Sequence, residues 1–268
     1  MHVGGIGDLL LTAPAIARLA EAGPVDAAGR PERLALLVHA GLVRKAYSMD
    51  SVDLASAFTG PSATLTAFVQ QYDRAVVWMR DAEGACEGFR AAGVADVRAF
   101  PGLPPAGWDR HASAYYLEQL GYDAGPALRL RFSPPLPRHD VVIHPGSGGR
   151  AKNWPMGRFA EVAEMLRRAG REVTWCAGPA EEELSLPPDA DVLRCETLLA
   201  LARHLAGSAA YLGNDSGVSH LAAACGARCA VVFGPTDARV WAPRGVDVHV
   251  LRGDPWPSAA EAFAVLTS

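Results

Sequence analysis

The chain has 268 residues, half of them apolar and a fifth charged, with a formal net charge of −4 at pH 7. That is the composition of a globular enzyme, long enough for one large core or two modest ones, and it excludes a general electrostatic attraction to nucleic acid. Five scattered cysteines (Cys86, Cys176, Cys195, Cys225 and Cys229) form no C-x-x-C pair, which argues against a disulfide framework or a zinc site and for a reducing compartment.

The start, Met1-His2-Val3-Gly4-Gly5, lacks the basic region and apolar stretch of a secretion signal. No segment reaches the roughly 18 uninterrupted apolar residues of a membrane span. A cytoplasmic soluble protein is the expectation, and peripheral docking at the inner membrane, which needs no span, stays open. Apolar runs then alternate with helix-like patterns, the mark of parallel sheets with crossover helices. Strands are predicted at Leu34–Val38, Ala75–Trp78, Val97–Phe100, Val141–His144, Val173–Ala177, Ala209–Leu212 and Ala230–Phe233. Arg158–Ala169 puts Phe159, Val162, Ala163 and Leu166 on one helical face, with Gly170 as its stop. A last helix is predicted around Ser258–Leu266.

Proline sets the boundary. Phe132-Ser133-Pro134-Pro135-Leu136-Pro137-Arg138 is a stiff, extended stretch that neither a helix nor a central strand can contain. It predicts two α/β domains, 1–133 and 138–250, followed by a tail helix within 251–268. Only Met1–Val3 precede the first glycine, whereas a central strand usually needs about five residues, so either the first strand is clipped or the true start lies upstream.

Three constellations carry chemistry. Gly4-Gly5-Ile6-Gly7-Asp8 lets the backbone approach a ligand closely, and Asp8 then opens a helix. It departs from the dinucleotide fingerprint, because Leu10 stands where the third glycine or alanine belongs. Two roles are open to Asp8: a helix N-cap, or a carboxylate serving as general base. The second constellation is His144-Pro145-Gly146-Ser147-Gly148-Gly149-Arg150-Ala151-Lys152-Asn153-Trp154-Pro155. Here a strand ends in a loop of small residues and two cations, suited to a diphosphate. Lys152 is one of two lysines among 23 arginines, which hints at a specific use of a compact charge. A solvated loop anchored by Trp154 is the plainer alternative.

The third is Tyr211-Leu212-Gly213-Asn214-Asp215-Ser216-Gly217-Val218-Ser219-His220. A strand feeds a helix through a polar turn, leaving helix-start amides free. Asp215 would repel a phosphate and is better suited to sugar hydroxyls, while Ser216 and Gly217 are better placed for phosphate. His220 shares a helix face with Ser216, although such a histidine is often purely structural. Gly234-Pro235-Thr236-Asp237 makes a further turn after the next strand. Loops that follow strands of one parallel sheet meet at its carboxyl edge, where open α/β sheets bind ligands.

Together these segments resemble glycosyltransferase family nine, the ADP-heptose-dependent heptosyltransferases of lipopolysaccharide core assembly. The likeness rests on G-G-I-G-D-L-L-L-T-A-P, P-G-S-G-G-R-A-K-N-W-P, G-N-D-S-G-V-S-H-L-A-A-A-C-G and F-G-P-T-D-A-R-V-W-A-P-R-G. It runs almost continuously from Val141 to Gly245, but in the first half it is largely confined to the first twenty residues. The resemblance implies a GT-B fold, two Rossmann-like domains facing a central cleft, with the donor on the C-terminal domain and the acceptor on the N-terminal one. Carried over by position, Asp8 would be the base. Lys152 would neutralise the leaving diphosphate, helped by Ser147, Gly148 and the amides of Ser216 and Gly217. Asp215 would bind the heptose, supported by His220. Glu182, or its neighbours Glu181 and Glu183, would take the ribose, and the helix containing Leu198 would border the adenine.

The implied reaction is inverting, metal-independent and free of cofactors. It moves a heptose or similar sugar from ADP-heptose to a glycan or glycolipid hydroxyl. Two other readings stay open: a non-catalytic nucleotide-sugar binding protein with a decayed acceptor domain, and a dinucleotide-dependent oxidoreductase, which lacks its glycine signature.

Overall fold

The computed structural model describes residues 4–133, 136–137, 140–178 and 186–268. The chain divides into two compact units, Met1–Pro126 and Ala127–Ser268.

The first unit begins at the glycine turn, from which helix α1 runs over Ile6–Ala22. Then come β1 (Asp26–Gly29), α2 (Pro31–His39), β2 (Lys45–Ser48), α3 (Ala63–Val69), β3 (Arg74–Trp78), α4 (Ala82–Ala91), β4 (Asp96–Phe100) and α5 (Ala112–Gln119). Among the described residues β1 pairs in parallel with β2, and β3 in parallel with β4. The core gathers Ala28, Leu65, Val69, Val77, Ala85 and Phe89.

Leu34–Val38, expected as a strand, lies inside helix α2. Pro31 occupies the start of that helix, where its fixed φ suits the first turn and its missing N–H costs nothing. Leu34 and Leu37, three residues apart, are buried on one face, so the apolar run has a helical period. The strand on this stretch of chain is instead Asp26–Gly29, short and half built of alanine.

The second unit carries one six-stranded, all-parallel sheet. In chain order it contains β5 (Val141–His144), α6 (Met156–Arg168), β6 (Val173–Cys176), β7 (Val192–Leu193), α7 (Leu198–Gly207), β8 (Ala210–Asn214), α8 (Gly217–Ala224), β9 (Arg228–Val232), α9 (Ala238–Trp241), β10 (Val248–Leu251) and α10 (Ala259–Thr267). The spatial order is β10-β9-β8-β5-β6-β7. The chain starts in the middle, winds one way through β6 and β7, returns beside β5 as β8, and winds the other way. This is the doubly wound order, whose ligand crevice lies between the first strand and the strand at which the winding reverses. Here those strands are β5 and β8, paired in register from Val141 with Ala210 to His144 with Gly213.

Burial on both faces explains why the strands here read as unbroken apolar runs. Val141, Ile143, Trp175, Leu212, Ala230 and Val232 form the core with Phe159, Val162, Ala163 and Leu166 of α6. That helix stops where expected: Gly170 adopts φ +73°, a left-handed conformation that glycine enters without a Cβ penalty. The terminal helix α10 buries Ala259, Ala262 and Leu266 in the same core. Residues 127–133, ahead of the prolines, go with this second unit: Leu128 and Leu130 are buried, and the Leu130 N–H donates to the Ala224 carbonyl. Three further short strands, β2, β7 and β10, were beyond the reach of the sequence pattern.

Candidate functional site

In the first unit Gly5 is the N-cap of α1, and Asp8 sits three residues later. The Asp8 carboxylate accepts the Gly5 N–H at 2.8 Å. It therefore holds the turn from the N3 position, as the acid of a capping box does, and its negative charge lies at the positive end of the helix. The Arg33 guanidinium donates to the Gly4 carbonyl, tying α2 to the same turn. Burial, followed by the nearby Arg30, lowers the Arg33 pKa, while the Asp8 charge opposes that shift. Burial and then the same carboxylate push the Tyr116 phenol up, and its hydroxyl donates to the Gly102 carbonyl at 2.8 Å. Asp8 is thus a half-buried acid with a structural bond already in place.

In the second unit the loops after β5, β8 and β9, three adjacent strands, meet through side chains. Lys152 Nζ donates to Asp215 Oδ2 at 2.7 Å. Thr236 Oγ1 donates to the same oxygen, also at 2.7 Å. The Asp215 side chain is 7% exposed and that of Lys152 34%, so a buried anion is met by a cation that keeps access to solvent. The Asp215 N–H donates to the Val232 carbonyl at 2.9 Å, which fixes the backbone of the turn to β9.

Asn214 holds this arrangement from below. Fully buried, it donates from Nδ2 to the Pro145 carbonyl at 2.8 Å and accepts the Trp154 N–H at 2.9 Å on Oδ1. One amide side chain thus clamps both ends of the loop that carries Ser147 and Lys152. Trp154, buried and edge-on to Phe159 with ring centres 5.1 Å apart, roots that loop in the core. Trp154 as an anchor and Lys152 as a site residue are compatible, because Trp154 is buried in the core while a third of the Lys152 side chain stays exposed.

Within the loop the Ser147 hydroxyl lies 2.6 Å from Asn153 Oδ1 and 2.8 Å from the Gly149 carbonyl. It also accepts the Gly149 N–H at 3.3 Å. It is engaged in shaping the loop, whereas the Gly148 backbone beside it is exposed, with no atom within 4 Å of where a Cβ would stand. Ser216 is the N-cap of α8 and accepts the Ser219 N–H at 3.3 Å. Its hydroxyl serves the helix, and the first-turn amides of Gly217 and Val218 have no partner within the helix. The Ser219 hydroxyl donates to the Asn214 carbonyl at 2.5 Å and touches the Tyr211 hydroxyl at 3.0 Å, buttressing the turn from within. His220 is buried, and its N–H donates to the Ser216 carbonyl at 3.4 Å.

Leu198 is the first residue of α7 and half-buried, capped by Thr197, whose hydroxyl accepts the Ala200 N–H at 3.1 Å. It follows β7 and so starts at the carboxyl edge of the sheet. Glu182, with Glu181 and Glu183, lies outside the described residues. The turn after β9 is held at both ends. A Cβ on Gly234 would come within 2.4 Å of the Trp256 ring, and Asp237 caps α9 by accepting the Arg239 N–H at 2.9 Å. Asn214 and Thr236 are the residues that motif reading passed over. The signal for both was their place in the motifs, Asn214 at the end of β8 and Thr236 in the turn after the adjacent β9. Among the described residues no group of three or more histidine, cysteine or acidic side chains is arranged to hold a metal ion. No described helix is long and apolar enough to cross a membrane.

Comparison with known proteins gives the family and the fold. Residues 104–262 match the family model described as glycosyltransferase family 9 (heptosyltransferase). Lipopolysaccharide heptosyltransferase 3 of Escherichia coli K12 is 30% identical over 119 residues, a stretch that covers 39% of this chain and 33% of that protein. Lipopolysaccharide heptosyltransferase 1 of Pseudomonas aeruginosa is 28% identical over 151 residues, 50% of this chain and 42% of that protein. The matched stretches thus span less than half of these relatives' length. Among solved structures, the E. coli ADP-heptose lipopolysaccharide heptosyltransferase II superposes with a TM-score of 0.78 at 19% identity, covering 99% of this chain and 96% of that one. An E. coli heptosyltransferase solved with ADP gives 0.66 at 20% identity, over 98% and 95%. At these identities the structural likeness speaks for the fold, α/β with parallel sheets as in the GT-B heptosyltransferases.

Proposed function

The chain belongs to glycosyltransferase family 9, and from that premise we propose that it transfers a heptose, or a closely similar sugar, from ADP-heptose to an acceptor hydroxyl in lipopolysaccharide core or related glycan assembly. The observation that carries this reading is the Lys152–Asp215–Thr236 cluster at the switch point of the second unit's sheet. A cation for a diphosphate stands against a buried acceptor for sugar hydroxyls.

In the proposed reaction the acceptor oxygen attacks the anomeric carbon as the glycosidic bond to ADP breaks, in one displacement that inverts the configuration. Asp8 takes the acceptor's proton as the new bond forms. Negative charge grows on the departing diphosphate and is met by Lys152 and by the amides of Ser216 and Gly217 at the start of α8, with Ser147 and Gly148 shaping the loop around it. Preorganised donors of this kind are worth about 3–4 kcal/mol each in favourable cases. Asp215 accepts from the sugar hydroxyls, Ser216 and His220 hold its turn, Glu182 takes the ribose, and Leu198 borders the adenine. The scheme routes no step through a metal ion or a cofactor. The proposed setting is the cytoplasm, with the glycan or glycolipid acceptor presented at the inner membrane.

The test is ADP release and product formation from ADP-heptose with a panel of heptosyl acceptors, with and without EDTA. Turnover that survives EDTA and gives an inverted product supports the whole scheme. ADP-heptose binding without turnover on any acceptor would favour a sugar-nucleotide binding protein instead. Absence of binding would end the proposal.

A further inference from the structure

Oδ2 of Asp215 accepts two hydrogen bonds of equal length from two different loops, one from Lys152 and one from Thr236. The two donors differ in kind. Lys152 ends a flexible four-carbon stem with a third of its side chain in solvent, so it can leave the carboxylate for a diphosphate. Thr236 has a short, β-branched side chain with a stiff χ1. Its turn is pinned by the Gly234–Trp256 packing and the Asp237 cap. When the lysine turns to a ligand, Oδ2 of the buried carboxylate keeps the threonine hydroxyl as its fixed partner.

We propose that Thr236 is a positioning residue for donor recognition: its hydroxyl holds the Asp215 carboxylate aimed at the sugar while Lys152 exchanges that carboxylate for the diphosphate. The proposal rests on the reading of this edge as the donor site. Its specific content is that Thr236 acts on the sugar through Asp215 and leaves the nucleotide diphosphate alone.

Calorimetry of ADP and of ADP-heptose on wild type, Thr236→Val and Thr236→Ser tests it. Loss of one neutral donor to a carboxylate is expected to weaken ADP-heptose about fivefold in Thr236→Val, to leave ADP within about twofold, and to be restored in Thr236→Ser. Equal weakening of both ligands would make Thr236 a mere support of the loop and overturn the proposal, as would unchanged affinity for both. Binding of neither ligand by folded wild-type protein would overturn the donor-site reading itself, a separate result. Thermal melts of both variants identify a misfolded Thr236→Val, and Thr236→Ala then replaces it in the same comparison.

Discussion

The Asn214 side chain receives the Trp154 N–H at 2.9 Å across sixty residues of chain, and with its other end it holds the Pro145 carbonyl. This clamp joins the loop that carries the cation to the strand end that carries the anion. Lys152 meets Asp215 because the residue before Asp215 fixes both ends of the lysine's loop.

Asn214→Ala should therefore harm both stability and the site. Two buried backbone groups lose their partner, at about 1–3 kcal/mol each, so a loss of about 2–6 kcal/mol is expected in urea denaturation. Asn214→Asp should also destabilise, because a carboxylate oxygen would replace the donor that faces the Pro145 carbonyl. Wild-type stability in either variant would show that the clamp is dispensable.

Lys152→Ala should cut ADP affinity at least about tenfold, equivalent to about 1.4 kcal/mol, as read by calorimetry. The structure adds an expectation about stability. The buried Asp215 carboxylate loses its cation and keeps Thr236 alone, so the melting temperature should fall modestly where a freely solvated loop lysine would leave it unchanged. ADP affinity equal to wild type would remove Lys152 from the donor site.

The two roles of Asp8 separate by substitution. Asp8→Asn keeps an oxygen for the Gly5 N–H and should retain stability and ADP binding while transfer falls by about 10²–10⁴-fold, the usual worth of a general base. Asp8→Ala also removes the cap, with a further stability loss of about 0.5–2 kcal/mol. Full transfer by Asp8→Asn in a coupled ADP-release assay would assign Asp8 to structure alone.

Acid sensitivity should map to Asp26 in the first unit. Its side chain is 2% exposed, and both oxygens accept from the Arg44 guanidinium, at 2.9 and 2.7 Å. That pairing lowers the Asp26 pKa against the opposing effect of burial, and the Tyr72 hydroxyl at 2.8 Å adds to the lowering. An acid whose pKa is lower folded than unfolded takes up its proton first in the unfolded chain, so stability rises with pH in that range. The contribution is complete above the unfolded value near 4 and is lost as pH falls through the lower folded value. Urea melts between pH 7 and pH 3 should show a shallower acid limb in Asp26→Asn than in wild type. Parallel limbs would exclude Asp26 as the source.

What residue order alone determined was the second unit and its chemistry-bearing loops. Val141–Ile143, Val173–Cys176 and Ala230–Val232 are buried on both faces, and such strands must be written as apolar runs that composition exposes. Gly170 and the cap at Ser258 mark helix ends by local backbone and hydrogen-bonding needs, which neighbours in sequence satisfy. The glycine- and serine-rich turns after β5 and β8 carried their own signal for the same reason. Only the tertiary structure decided that Leu34–Val38 coils behind Pro31, since a short apolar run satisfies either period until a neighbour chooses its face. It also decided that Ser147 and Ser216 serve the backbone and that one Asp215 oxygen is shared between Lys152 and Thr236. Those outcomes depend on which strands lie side by side, and strand order is set by packing across the whole sheet, a long-range property that no local run of residues encodes.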